Sequence, residues 1–259
     1  MSNNLCGLPD NAAILVQGAS SGLGLAFTRR FLEDLPEAMV IATSRDPSSS
    51  DDLRSLATTH GERLICLPMD VADEDSIASA AGRVGESVER LDLLINCAGI
   101  LHDTEGLAPE KRLEDVTPAK LERSFRVNAF GPLLVAKHFL SLLNHDRRAV
   151  FASISARVGS IEDNRLGGWY AYRASKAAQN QFTRTLAIEC GRRAKNVIVI
   201  ALHPGTTDTP LSKPFQANVS AEQLFSADQA ARYLCATIAG LSREDSGQFR
   251  DFEGEPIPW

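Results

Sequence analysis

The chain has 259 residues, 44% hydrophobic and 23% charged, with a formal net charge of −6, the make-up of a soluble globular protein and a size that one α/β domain fills. The acidic balance excludes non-specific nucleic-acid binding, which needs a basic footprint, and no apolar run is long enough to span a bilayer. The five cysteines (Cys6, Cys66, Cys97, Cys190, Cys235) are odd in number and scattered, without CxxC or metal-ligand spacing, so reduced thiols in a cytoplasmic protein with no metal site are expected.

From the N-terminus, Met1 to Pro9 lacks a basic segment followed by an apolar one, so no secretory leader is expected. Ala12 to Val16 then reads as an uninterrupted apolar strand. Leu23 to Leu35 carries apolar residues at helical spacing. Met39 to Thr43 and Arg63 to Leu67 read as a second and third strand, and Asp73 to Val88 as a helix opened by acidic residues. Between them Asp46 to Asp52 is the most linker-like piece, short enough for a surface loop. Leu91 to Ile95 is a fourth strand, Pro118 to Leu143 a long helical stretch, and Ala149 to Ile154 a fifth strand. Tyr172 to Arg192 is helical, Val197 to Leu202 a sixth strand, and Ala227 to Leu241 a last helix before a short tail. Lys213 to Ala221 reads as a mobile segment.

Continuous apolar strands imply burial on both faces, and strict alternation with helices implies a parallel sheet covered on both sides. The pattern predicts a doubly wound α/β fold of Rossmann type, residues 1–259 forming one domain with a loop at about 205–226.

After the first strand comes Gly18-Ala-Ser-Ser-Gly22-Leu-Gly24, opening the first helix. Glycines permit a tight turn and a close backbone approach, and the helix N-terminus favours an anion. The spacing is GxxxGxG, and a bare glycine-rich turn would look the same; the strand before it and the helix after it favour a dinucleotide phosphate. Where the second strand ends, the sequence reads Thr43-Ser44-Arg45-Asp46. An acid there would hold a free ribose 2′-hydroxyl, whereas Arg45 can pair with a 2′-phosphate. NADP(H) is therefore preferred, with NAD(H) possible.

Tyr172 and Lys176 stand four residues apart, which on a helix puts them on one face. A phenol titrates near pH ~10, and a neighbouring ammonium favours its phenolate, so the pair can exchange a proton with a substrate oxygen. A surface Tyr–Lys pair gives the same spacing by chance. Tyr170 has Ala174 at that spacing and lacks the partner. Upstream, Pro132 cannot donate to the carbonyl of Asn128. The helix should kink there, freeing that carbonyl for a water that also meets the Lys176 ammonium.

Taken together, Gly18 to Gly24, Asp70-Val71, Asn96-Cys-Ala-Gly99, Asn128, a serine after the fifth strand, Tyr172 to Lys176 and Pro204-Gly205 resemble the short-chain dehydrogenases/reductases. The match spans nearly the whole chain in order. Gly159-Ser-Ile, the run Gly167 to Lys176 and the ending Gly254 to Trp259 resemble the C-factor and sniffer-like carbonyl reductases. The resemblance implies a seven-stranded sheet and hydride transfer between nicotinamide and a carbonyl or secondary alcohol. It implies a cofactor site of Gly18, Ser20, Ser21, Gly22, Leu23, Gly24, Arg45, Asp70, Val71, Asn96, Ala98, Gly99, Tyr172, Lys176, Pro204, Gly205, Thr207 and Thr209. Asp70 would hold the adenine amino group and Lys176 the nicotinamide ribose.

The implied catalytic set is Asn128, Ser155, Tyr172 and Lys176. The family's serine usually stands three residues before a glycine. Counted back from Gly159 that place is Ala156, and Ser155, one residue earlier, is assigned instead. The implied partner is a small carbonyl or alcohol, and the chain could form a homodimer or homotetramer. The serine offset keeps a rival open, an NADP(H)-binding sensor without turnover. Leu211, Phe215, Leu224 and Phe225 suggest an apolar lid.

Overall fold

A computed structural model describes residues 5–217 and 219–259. Residues 1–4, part of the segment expected to lack a leader, and Asn218, inside the segment expected to be mobile, lie outside that description. The predicted apolar runs are strands: β1 (Ala13–Gln17), β2 (Met39–Ser44), β3 (Leu64–Pro68), β4 (Leu93–Asn96), β5 (Ala149–Ile154) and β6 (Val197–His203). Two-residue strands β7 (Thr206–Thr207) and β8 (Leu224–Phe225) pair with each other across the loop that follows β6. The last strand, β9 (Phe249–Asp251), falls in the tail and pairs with β6.

One seven-stranded parallel sheet results, ordered β3-β2-β1-β4-β5-β6-β9. Its chain order reverses direction between β1 and β4, and ligands bind at the strand ends beside such a switch point. The helices are α1 (Gly22–Asp34), α2 (Asp51–His60), α3 (Glu74–Ser87), α4 (Pro118–Phe125), α5 (Gly131–Leu143), α6 (Tyr170–Arg193) and α7 (Ala227–Ala239). Side chains alternate across the sheet. Ile14, Val16, Val40 and Ile200 pack with α1 and α7 residues on one face. Leu15, Ile41, Leu94 and Val199 pack with α3 and α5 on the other.

Two local readings change. Asp46 to Asp52 is no linker: Asp46 caps a short 3-10 turn at Pro47–Ser49, and Ser50 caps α2 through Leu53 N–H. Only Leu53 of α2 is buried, so apolar periodicity is almost absent from it. The stretch from Pro118 to Leu143 does not simply kink at Pro132. It passes through a π turn at Arg126–Phe130, in which Gly131 N–H reaches the Arg126 carbonyl. A π turn accommodates a residue that cannot donate, and such turns cluster at functional sites.

Candidate active site

The C-terminal ends of the strands open into a cleft of about 1110 Å³. Every sequence-predicted site residue except Asn96 and Asn128 lines it. At its phosphate end, Gly18 has φ +82, and a Cβ there would stand 2.6 Å from the Ala98 nitrogen. A Cβ on Gly24 would meet the Gly18 carbonyl at 2.2 Å, so the turn requires glycine at both places. Ser21, the N-cap of α1, makes no side-chain capping bond. The helix N-terminus thus presents N–H groups to the cleft without an internal anion.

At the β2 end, Ser44 and Arg45 line the cleft. The buried Ser44 hydroxyl has no hydrogen-bond partner. Asp46 is engaged elsewhere: its Oδ1 accepts from Ser48 N–H at 3.0 Å and from the Ser48 hydroxyl at 2.6 Å, bonds that hold its carboxyl below the usual range. Asp70 Oδ1 accepts from Ala72 N–H at 2.9 Å. These groups fit a dinucleotide bearing an additional ribose phosphate.

Tyr172, Lys176 and Ser155 line the same cleft further along. Tyr172 is 8% exposed and Lys176 3%, and the ammonium lies 6.0 Å from the phenol ring centroid. Burial pushes the phenol well above its ordinary range and the ammonium down to about 7, with Cys97 opposing that fall. With the protein's own groups alone, burial outweighs the ammonium's pull, so the expected lowering of the phenol is reversed. Lys176 Nζ donates to the Ile154 carbonyl at 2.8 Å and to Gln179 Oε1 at 2.9 Å.

Ser155 Oγ donates to Asn180 Oδ1 at 2.7 Å; Ala156 also lines the cleft. Asn128 stands behind the wall. Its Nδ2 donates to the Ile100 carbonyl at 2.9 Å and the Ser175 hydroxyl at 3.1 Å, while its Oδ1 accepts from Ile100 N–H at 2.8 Å. Asn96 likewise ties β4 to β5 by donating to Ser153 Oγ at 3.2 Å. The expected lid divides. Leu211 faces the cleft and Phe215 packs edge-on against Trp169 at 5.2 Å. Phe225 instead packs against Phe252 at 4.8 Å.

Sequence reading missed Gln179, whose signal was its i+3 spacing from Lys176. It also missed His203, at the β6 end before Pro204-Gly205. His203 lines the cleft with Nδ1 unpartnered, and burial pushes it down to about 4.

The sheet order, the glycine cradle and the Tyr172–Lys176 wall define a nucleotide-binding redox fold. The chain belongs to the short-chain dehydrogenase family, whose model matches residues 12–220, and is an oxidoreductase of that family. It is 32% identical to the short chain dehydrogenase gsfK of Penicillium aethiopicum, over 96% of this chain and 99% of that one. The NADPH-bound carbonyl reductase from chicken fatty liver superposes with a TM-score of 0.85 and 30% identity, covering 96% and 99% of the two chains. The carbonyl reductase Sniffer of D. melanogaster superposes at 0.83 with 25% identity, covering 96% and 99%. The family and the sniffer-like affinity expected from the motifs are both borne out. Among the described residues no helix is long and apolar enough to cross a membrane, and no cluster is suited to a metal.

Proposed function

We propose that this chain reduces a small carbonyl compound to the alcohol, reversibly, with NADP(H). The observation that carries the proposal is that Tyr172, Lys176 and Ser155 share one cleft wall with the glycine cradle. The NADPH-bound structural neighbour is a carbonyl reductase, which supports both the cofactor and the direction. A bound nicotinamide supplies or accepts the hydride. Gly18, Ser20, Ser21, Gly22, Leu23 and Gly24 hold its phosphates, and Ser44 and Arg45 a 2′-phosphate. Asp70, Val71, Ala98 and Gly99 line the adenosine half, while Pro204, Gly205, Thr207 and Thr209 hold the nicotinamide half. Asn96 and Asn128 brace the wall behind it.

Tyr172 keeps its proton at neutral pH because burial raises it, and it donates that proton to the incipient alkoxide. Lys176 places positive charge beside the phenol and the ribose. Ser155 orients the carbonyl once its hydroxyl turns from Asn180. The chain acts on a small carbonyl or alcohol in the cytoplasm, and a homodimer or homotetramer belongs to the same reading.

Tyr172→Phe removes the proton donor alone. Carbonyl reduction with NADPH should fall at least about 100-fold while NADPH affinity, titrated by fluorescence, stays put. A variant that keeps most of its turnover would refute the role. The Ser155–Asn180 bond favours a second reading, a nucleotide binder without turnover. A wild-type chain that binds NADPH yet reduces nothing in a broad carbonyl panel would establish that one instead.

A further inference from the structure

Lys176 has three protons to donate and no lone pair when charged. Two are used inside the protein, on the Ile154 carbonyl at 2.8 Å and on Gln179 Oε1 at 2.9 Å. The Gln179 amide is held in that orientation: its Nε2 donates to the same Ile154 carbonyl at 3.3 Å, which closes a triangle at the β5 end. Because an ammonium only donates, the amide must turn its oxygen to Lys176 and its nitrogen to Ile154. Gln179 is 2% exposed, so water does not compete for it.

Asn128 cannot take this place with its side chain, since its amide is committed to Ile100 and Ser175. One Lys176 proton is left for the cleft. We infer that Gln179 is a positioning residue for Lys176, a buried neutral acceptor that fixes the ammonium and helps to keep it charged.

The inference rests on the carbonyl-reduction reading for its kinetic consequence but not for its electrostatic one. The titratable groups that face Lys176 are Tyr172 on its own helix and Cys97 at the end of β4. Both are buried and neutral near pH 7, since burial raises each of them. The acceptor oxygens of Ile154 and Gln179 are the hydrogen-bond partners that can stabilise the charge. Gln179→Leu removes one of them at similar volume, and Gln179→Glu replaces it with a charged acceptor.

Lys176 should be titrated in cofactor-free protein by 13Cε-lysine NMR, with its signal assigned through Lys176→Met. In Gln179→Leu the midpoint should fall by about one unit, and in Gln179→Glu it should rise by at least that much. Above both midpoints, one unit means an about tenfold smaller charged fraction. The kcat of Gln179→Leu for carbonyl reduction should fall by that factor at alkaline pH and recover as pH drops.

Gln179→Met serves if the leucine variant does not fold. Midpoints that coincide in all three proteins would overturn the inference and leave the carbonyl-reduction reading standing. Displaced midpoints in a chain that turns over no carbonyl would support the Gln179 role and sink that reading instead. A kcat deficit that is flat across pH, with midpoints that do not move, would mark Gln179 as packing only and overturn the inference.

Discussion

Ser155 has a single proton to give, and in this structure Asn180 receives it. To polarise a substrate carbonyl, the hydroxyl must rotate and surrender a buried hydrogen bond, which is worth about 0.5–1.5 kcal/mol net. That cost offsets part of what a preorganised donor contributes. A donor fixed toward the developing oxyanion is worth ~10²–10³ in rate. Ser155→Ala is therefore expected to lower kcat by about tenfold, much less than Tyr172→Phe, with NADPH affinity unchanged. Steady-state kinetics of both variants on one substrate provide the comparison. Equal losses would mean that the serine points at the substrate throughout turnover. The one-residue offset of this serine was visible in the spacing to Gly159. Its bond to Asn180 was not, because residues 25 apart in the chain meet only when α6 packs on the end of β5. Gln179 was hidden for the same reason: i+3 spacing puts it on the Lys176 side of the helix, but only the fold brings the Ile154 carbonyl to both.

At the scale of the element, the position of Tyr172 depends on how α6 begins. Trp169, just before the helix, has φ +53, a left-handed conformation that costs a non-glycine residue of order 1–3 kcal/mol. Glu110 holds that turn. Its carbonyl accepts from Trp169 N–H and its carboxylate Oε2 accepts from Ala171 N–H at 3.1 Å. At 1% exposure this is a buried N-terminal cap beside the helix's positive end. Glu110→Ala should destabilise the chain by about 1–2 kcal/mol, and Glu110→Gln, which keeps the acceptor, by less. Urea unfolding measures both, and equal losses would assign the effect to the lost negative charge at the helix N-terminus rather than to the acceptor. No sequence pattern pointed to this cap, because it lies 61 residues upstream of Ala171. What was legible were the elements whose own residues suffice: the apolar strands, and helices with a buried stripe. α2 was lost because its caps, Ser50 and the acids after it, resemble a polar loop and it buries only Leu53. β9 was lost because three residues form a strand only by pairing with β6.

For the whole molecule, the cleft brings the ends of the central strands together with the loop after β6. The loop after β6 lies across it. The Thr209 methyl would stand 3.1 Å from a Cβ on Gly22, and Leu211 3.6 Å from one on Gly99. His102 Nε2 donates to the Pro210 carbonyl at 3.1 Å. A dinucleotide in the cleft would touch the glycine cradle, the ends of β2 and β4, and this loop at once. Ligand that binds only the folded chain stabilises it by mass action, about 2.7 kcal/mol at a hundredfold excess over Kd. For a chain of this length each kcal/mol raises Tm by about 2–4 °C, so saturating NADPH should raise Tm by about 5–10 °C. NADH at the same concentration lacks the 2′-phosphate that Ser44 and Arg45 would hold, and its shift should be smaller by several degrees. Arg45→Ala should bring the NADPH shift down to the NADH value without changing the latter. Differential scanning fluorimetry reads all four combinations. Equal shifts for the two cofactors in the wild-type chain would remove Arg45 as a discriminating residue and mean that the chain takes NADP(H) and NAD(H) alike.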